Sequence, residues 1–291
     1  MPCSRPAQPA ACRFGTRLKQ AVKVKGALCA GIDPHPALLE LWGCRDDVAG
    51  LERFALRAVE ALAPVVAMLK PQSAFFERYG AEGIAVLERV LLAAREAGTL
   101  VLLDVKRGDI GSTMAGYAEA YLDNGAPLAA DAITVSPYLG IGALDPAFEL
   151  AGRTGRGLFV LALTSNPDGA GVQSAVTATG DTVAQSVVDT VAARNAGRYP
   201  VGDYGVVVGA TAPVGQLRLS ELNGPILAPG IGAQGARMRD LRNVFGAATP
   251  HVVATLSREL LRHGPELQSL RHAARHFAEE AANLRHPGPS R

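Results

Sequence analysis

The chain of 291 residues lacks any long hydrophobic run, has little lysine and few aromatics, and carries almost no excess of either charge. No apolar stretch approaches the roughly 18 residues of a membrane-spanning helix. The longest, Leu100–Leu103 and Leu158–Leu163, have strand length. Twenty-nine basic residues face 27 acidic ones, for a net charge of +2. That balance speaks against a nucleic-acid-coating surface and against a basic membrane patch. Four cysteines (Cys3, Cys12, Cys29 and Cys44) fall in the first 44 residues. Their spacing fits no zinc pattern and they cannot cross-link the rest, so reduced thiols in a cytoplasmic protein are expected. The opening MPCSRPAQPAACR has no acid and lacks the apolar core of a secretory leader. Residues 1–13 read as a flexible tail and 285–291 as another, with one catalytic domain over 14–284. Lysine supplies only five of the 29 basic residues, at 19, 23, 25, 70 and 106, so a lysine inside an apolar run needs a reason.

What is present is a folded-chain composition, 48% hydrophobic and 19% charged, with 32 glycines. Disorder, collagen and a disulfide-stapled miniprotein are excluded. Short apolar runs alternate with amphipathic stretches. Strands are expected at Ala27–Asp33, Val65–Lys70, Leu100–Lys106, Ala132–Ser136, Leu158–Thr164, Tyr204–Gly209, Pro225–Ala228 and Val252–Leu256. Several are apolar throughout, as parallel strands covered on both faces are. Helical stripes occupy Val48–Ala63, Gly83–Ala97, Thr113–Leu122, Thr179–Ala193 and Ser257–Leu284. Eight βα repeats without a linker predict a single-domain α/β chain closed as a TIM (β/α)8 barrel, with a doubly wound open sheet as the competing architecture. A barrel demands that functional residues gather where strands end.

Polar residues do gather there: Asp33, Lys70, Asp104 with Lys106, Ser136, Ser165 and Arg258 all stand at or just past expected strand ends. Asp104 and Lys106 are two apart on an extended segment, which puts both on one face, with Leu103 and Val105 on the other. In a barrel the shared face is the interior, where charges are costly unless paired. Asp109 follows in a turn loosened by Gly108 and Gly111. Crowded carboxylates raise the energy of a further anion, while lysines among them stay protonated. Lys106 is then a poor base and a well-placed proton donor. Such a site suits a reaction in which an anionic group departs and a carbanion is protonated.

The run Gly230-Ile231-Gly232-Ala233-Gln234-Gly235 matches G-x-G-x-x-G. A dinucleotide site would place it on the first βα unit, with an acid on the next strand. Here it follows the seventh strand, and Val252–Leu256 has no acid. A phosphate cradle fits better, because loops after strands seven and eight hold phosphate in barrels. Arg258 then supplies a bidentate charge. His272 and His276 lack the glutamate of a zinc protease motif and read as a solvated face. Trp42 reads as a packing residue, and the Phe75-Phe76 pair as packing for a loop, with the edge of a planar ligand as the alternative for one ring.

The run Asp104-Val105-Lys106-Arg107-Gly108-Asp109-Ile110 resembles the D-x-K-x-x-D-I signature of the orotidine 5′-phosphate decarboxylase family. The wording R-G-D-I-G-S-T is similar to that of its longer bacterial chains (type 2). Four further segments, at Gly31–Pro36, Lys70–Glu77, Thr134–Gly140 and Ala228–Gly235, resemble the same subgroup in order. The resemblance spans roughly Phe14 to Gly264. It implies a TIM barrel that converts orotidine 5′-phosphate to UMP without cofactor or metal, as a homodimer. Lys106 would be the proton donor, Asp104 would face the departing carboxylate, and Lys70 and Asp33 would bind ribose hydroxyls and complete the charge array. Asp109 and Thr113 would complete the partner's site. Ser165 would meet the pyrimidine, and Gly232, Gln234 and Arg258 would hold the phosphate. The rival readings are a Mg²⁺-dependent sugar-phosphate lyase with a similar motif and a non-catalytic phosphoribosyl-ligand sensor.

Overall fold

The structure, a computed structural model, describes residues 12–212, 215, 217–232 and 235–285. Eight strands appear where the sequence places them: β1 Leu28–Ile32, β2 Met68–Pro71, β3 Leu100–Arg107, β4 Ala132–Val135, β5 Gly157–Leu163, β6 Tyr204–Val208, β7 Ile226–Ala228 and β8 Val252–Leu256. Every neighbouring pair is parallel, and the order β1 to β8 closes on itself. The open-sheet alternative is thereby overturned. The ring closes where β1 meets β8, with Leu28 opposite Ala254, Cys29 opposite Thr255 and Ala30 opposite Leu256.

The strands are short and apolar because both faces are covered. β1, β4, β6 and β8 are buried at every residue. The outer layer includes the helices Val48–Leu62, Gly80–Glu96, Gly111–Leu122, Asp145–Thr154 and Val183–Asn195. The first of these starts on an Asp47 side chain that accepts the Gly50 N–H, and it turns Leu51, Phe54, Ala58 and Leu62 toward the strands. Burying each such large side chain stabilises the fold by about 1.5–3 kcal/mol. A preceding helix, Phe14–Lys25, packs at the end where the strands begin. Its Phe14 ring lies edge-on to Phe159, and a Cβ on Gly157 would sit 2.3 Å from that ring, so β5 can start there only with glycine. Arg13, which the sequence reading assigns to the tail, is tied to Asp203 by an ion pair at 3.1 Å. The rest of the expected N-terminal tail except Cys12, and residues 286–291 of the C-terminal one, lie outside the described residues.

Two boundaries differ from expectation. Val65 and Val66 do not enter β2, because their N–H groups donate to the Leu62 carbonyl and finish the preceding helix. The expected helix over Ser257–Leu284 is two helices, Arg258–Leu261 and Leu267–Arg285. Between them Gly264 passes over Trp42, and Pro265 has no N–H to continue a helix. Trp42 is buried and donates its indole N–H to the Leu261 carbonyl, as a packing residue does. Among the described residues no helix is long and apolar enough to cross a membrane.

Candidate active site

A cavity of about 260 Å³ opens where the strands end. β1 delivers Asp33, β2 Lys70, β3 Asp104 and Lys106, β4 Thr134, and the end of β8 Thr255, Ser257 and Arg258. Leu161, Val207 and Leu227 form an apolar wall opposite the charges. A larger groove of about 1560 Å³ lies at the other end of the barrel, among Lys19, Lys23 and Arg275, and contains none of these strand-end residues. We locate the chemistry in the smaller cavity, because barrel activity resides at the carboxyl ends of strands.

The four charges form a connected array. Lys106 Nζ lies 2.6 Å from Asp104 Oδ1, and Lys70 Nζ lies 3.0 Å from Asp104 Oδ2 and 3.8 Å from Asp33 Oδ1. Lys70 also donates to Gln72 Oε1 at 3.2 Å. The Lys70 and Asp104 side chains are 7% and 8% exposed, whereas Lys106 is 45% exposed at the mouth. Burial penalises the Asp104 carboxylate, but Lys70 and Lys106 outweigh that penalty and hold it well below the usual carboxylate range. Burial likewise pulls Lys70 down, and Asp104 and Asp33 overcome it, raising the ammonium above its ordinary value. Both groups are therefore charged at neutral pH. The buried Cys29 thiol beneath them is pushed up to about 12, chiefly by desolvation, and stays protonated.

Lys106 reaches the pocket in a way that simple alternation does not describe. The β3–β4 register shifts between Leu103 and Arg107, and Lys106 takes φ = 46°. The kink turns its backbone while Leu103 and Val105 remain buried on the helix side. The following loop is braced by Arg107, which bonds Glu77 Oε1 at 2.6 Å, and Ser73 donates to that same carboxylate oxygen.

Sequence-derived residues divide by position. Asp33, Lys70, Asp104, Lys106 and Arg258 line the cavity; Asp109, Thr113, Ser165 and Gly232 are outside its lining. Asp109 Oδ1 accepts the Ile110 N–H at 2.8 Å, and Thr113 is exposed on the first turn of the next helix. Thr164, beside Ser165, lines the pocket instead. The Gly232 N–H is already given to the Ala236 carbonyl at 2.8 Å. Its place in the loop is conformational: φ is +76°, and a Cβ would meet Glu259 Cβ at 2.8 Å. Gln234 lies outside the described residues. Sequence reasoning missed roles for Thr134, Thr255 and Ser257. The last two were detectable as polar residues at the end of an otherwise apolar strand, Thr255 within β8 and Ser257 just past it; Thr255 bonds the Cys29 thiol, and the buried Ser257 hydroxyl has no hydrogen-bond partner among the described residues. His35 stacks edge-on against Phe75 at 4.2 Å beside Asp33. Burial, with some help from Arg258, lowers this imidazole against the pull of Asp33.

The sequence profile of the orotidine 5′-phosphate decarboxylase / HUMPS family matches residues 26–272. The chain belongs to this family. Within it, the chain is 61% identical over 261 residues to the orotidine 5′-phosphate decarboxylase of Salinispora tropica, covering 90% of this chain and 94% of that protein. The Streptomyces coelicolor decarboxylase is 59% identical over 269 residues, with 92% and 96% covered. A crystal structure from Streptomyces avermitilis, assigned to orotidine 5′-phosphate decarboxylase, superposes with a TM-score of 0.93 at 56% identity, covering 97% of this chain and 99% of the other. The Asp104–Asp109 segment lies within the matched region, on the kinked end of β3 and the loop that follows it.

Proposed function

We infer that this chain decarboxylates orotidine 5′-phosphate to UMP and CO2, a carboxy-lyase step of pyrimidine biosynthesis. The observation that carries the reading is the buried Asp104 carboxylate held between Lys70 and Lys106 at the mouth of the barrel. Asp104 remains anionic and faces the substrate carboxylate, which it repels; the carbanion left at C6 is repelled less. When the C6–carboxyl bond breaks, its electron pair stays on C6. Lys106 stabilises that charge and then transfers a proton from Nζ to C6, becoming a neutral amine that is reprotonated from solvent. The apolar wall of Leu161, Val207 and Leu227 gives the released CO2 a place without strong hydrogen bonds.

Arg258 and the glycine-rich loop after β7 hold the phosphate in this reading, with Gly232 shaping the loop and Gln234 assigned to the phosphate by the resemblance alone. Asp33 and Lys70 take the ribose hydroxyls, and Ser165 meets the pyrimidine beside Thr164. Contacts remote from C6 then supply binding energy that positions the base. The reaction calls on no metal or cofactor. A Mg²⁺-dependent lyase would have to displace Lys106, Lys70 and Thr134 from the Asp104 oxygens before a cation used them. Turnover followed by ultraviolet absorbance with excess EDTA is expected to equal turnover without it. Chelator-sensitive activity would point to the lyase, and binding without turnover to a ligand sensor.

The working unit in this reading is a cytoplasmic homodimer. Asp109 and Thr113 stand outside the cavity of their own chain, which accords with service to the partner's site. The exposed Ile110, Tyr138 and Leu139 supply apolar surface near them. Mixing Asp109→Ala with Lys106→Ala subunits is expected to restore about a quarter of wild-type activity, since random exchange makes half the dimers hybrid with one intact site each. No recovery despite demonstrated exchange would sink the shared site.

A further inference from the structure

We propose that Thr134 is a positioning residue for the proton donor, its hydroxyl tying the backbone of Lys106 and the carboxylate of Asp104 into one unit. This deepens the decarboxylase reading and rests on it. Lys106 sits in left-handed backbone space, where a side chain other than glycine is uncommon and must be held by its surroundings. The holder stands on the adjacent strand. Thr134 Oγ1 accepts the Lys106 N–H at 2.9 Å and donates to Asp104 Oδ1 at 2.7 Å. Its residue is 1% exposed, so these bonds are shielded from bulk water.

The direction of the chain follows from chemistry. A hydroxyl has one hydrogen, and an ionised carboxylate can only accept. With the Lys106 N–H on its lone pair, the Thr134 hydrogen has Asp104 as its recipient. Lys106 Nζ meets that same Oδ1 at 2.6 Å. Both ends of Lys106 thus converge on one oxygen, the side chain directly and the main chain through Thr134. Removing the hydroxyl leaves the Lys106 N–H without its acceptor and Asp104 held by ammonium groups alone. The kink and the donor then lose their common reference point.

Packing alone does not ask for threonine here. β4 reads Ala-Ile-Thr-Val, and valine has nearly the same shape. The test compares Thr134→Val with Thr134→Ser, measuring kcat, KM and UMP affinity with purified full-length protein. In the valine variant kcat is expected to fall by about 30-fold, the loss of a hydrogen bond to a charged group, while UMP affinity stays within about threefold. The serine variant keeps kcat within about threefold of wild type, because the hydroxyl is retained. Unchanged kcat in the valine variant overturns the proposal. So does a parallel loss of kcat and UMP affinity, or a serine variant as impaired as valine. If the valine variant does not fold, Thr134→Cys takes its place: a weakly bonding thiol should lower kcat by about tenfold with UMP affinity retained, and wild-type kcat there overturns the role. Wild-type turnover is measured alongside. Its absence would overturn the decarboxylase reading itself, whereas its presence with an unimpaired valine variant overturns Thr134 alone.

Discussion

Replacing Lys106 with alanine is expected to lower turnover of orotidine 5′-phosphate by at least about 10⁴-fold, the combined loss of a general acid and of preorganised charge. UMP affinity should stay within about tenfold, because the product has lost the group that Lys106 serves. The expectation comes from placement. Lys106 stands at the mouth and is half exposed, so its removal creates no cavity in the core. The fold loses one ion pair, whose other member Asp104 keeps Lys70 at 3.0 Å and the Thr134 hydroxyl at 2.7 Å. Single-turnover kinetics and product titration read the two effects separately. A variant that retains even a hundredth of wild-type kcat would remove Lys106 from the chemical step.

Asp104→Asn combines a chemical defect with a structural one. Turnover should fall by about 10³-fold or more, since the amide neither repels the substrate carboxylate nor keeps Lys106 aligned. Stability should also drop. Asp104 and Lys70 are both nearly buried, and removing one member of such a pair costs about 3–5 kcal/mol, or on the order of 10 °C in Tm. The pH dependence has a definite sign. Asp104 is depressed in the folded state, so its contribution is fully present above the ordinary carboxyl range and is lost only as pH falls through its lower folded value. Lys70 is raised, so its contribution is full below 10.5 and is lost only as pH rises through the higher folded value. The Tm gap between wild type and variant should therefore be flat from about pH 5 to 9 and narrow in strong acid. Calorimetry across that range checks it, and equal melting temperatures at pH 7 would show that the pair does not support the fold.

Much of this was legible in the sequence, for physical reasons that also mark its limits. The eight strands were visible because helices cover one face and the interior the other, so even β1 and β8 lack an alternating polar face. Asp33, Lys70, Asp104 and Lys106 stood out because an ionised group at the end of an apolar run needs partners. Local backbone events were not legible. Periodicity carries the apolar stripe of Ser257–Leu284 straight through Gly264-Pro265, yet the chain turns there over Trp42. Alternation put Lys106 beside Asp104 without disclosing the kink that brings it there. Thr134 stood at an expected strand end and in a segment that resembles the family, but its role was not legible, because it depends on the neighbouring strand's register, which no local pattern records. The phosphate contact expected of Gly232 is not available through its own amide, which closes the turn on the Ala236 carbonyl.

The junction of β1 with β8 has a consequence for how a ligand leaves. Asp33 follows one side of that seam and Arg258 the other, so in the proposed reading a nucleotide held by both spans the line where the cylinder closes. Occupancy then acts as a clasp: prising the first strand from the last means letting go of the ligand, and a tightly held ligand suppresses that breathing. Hydrogen exchange of the Ala254 amide, which bonds the Ala27 carbonyl across the seam, would report the clasp directly.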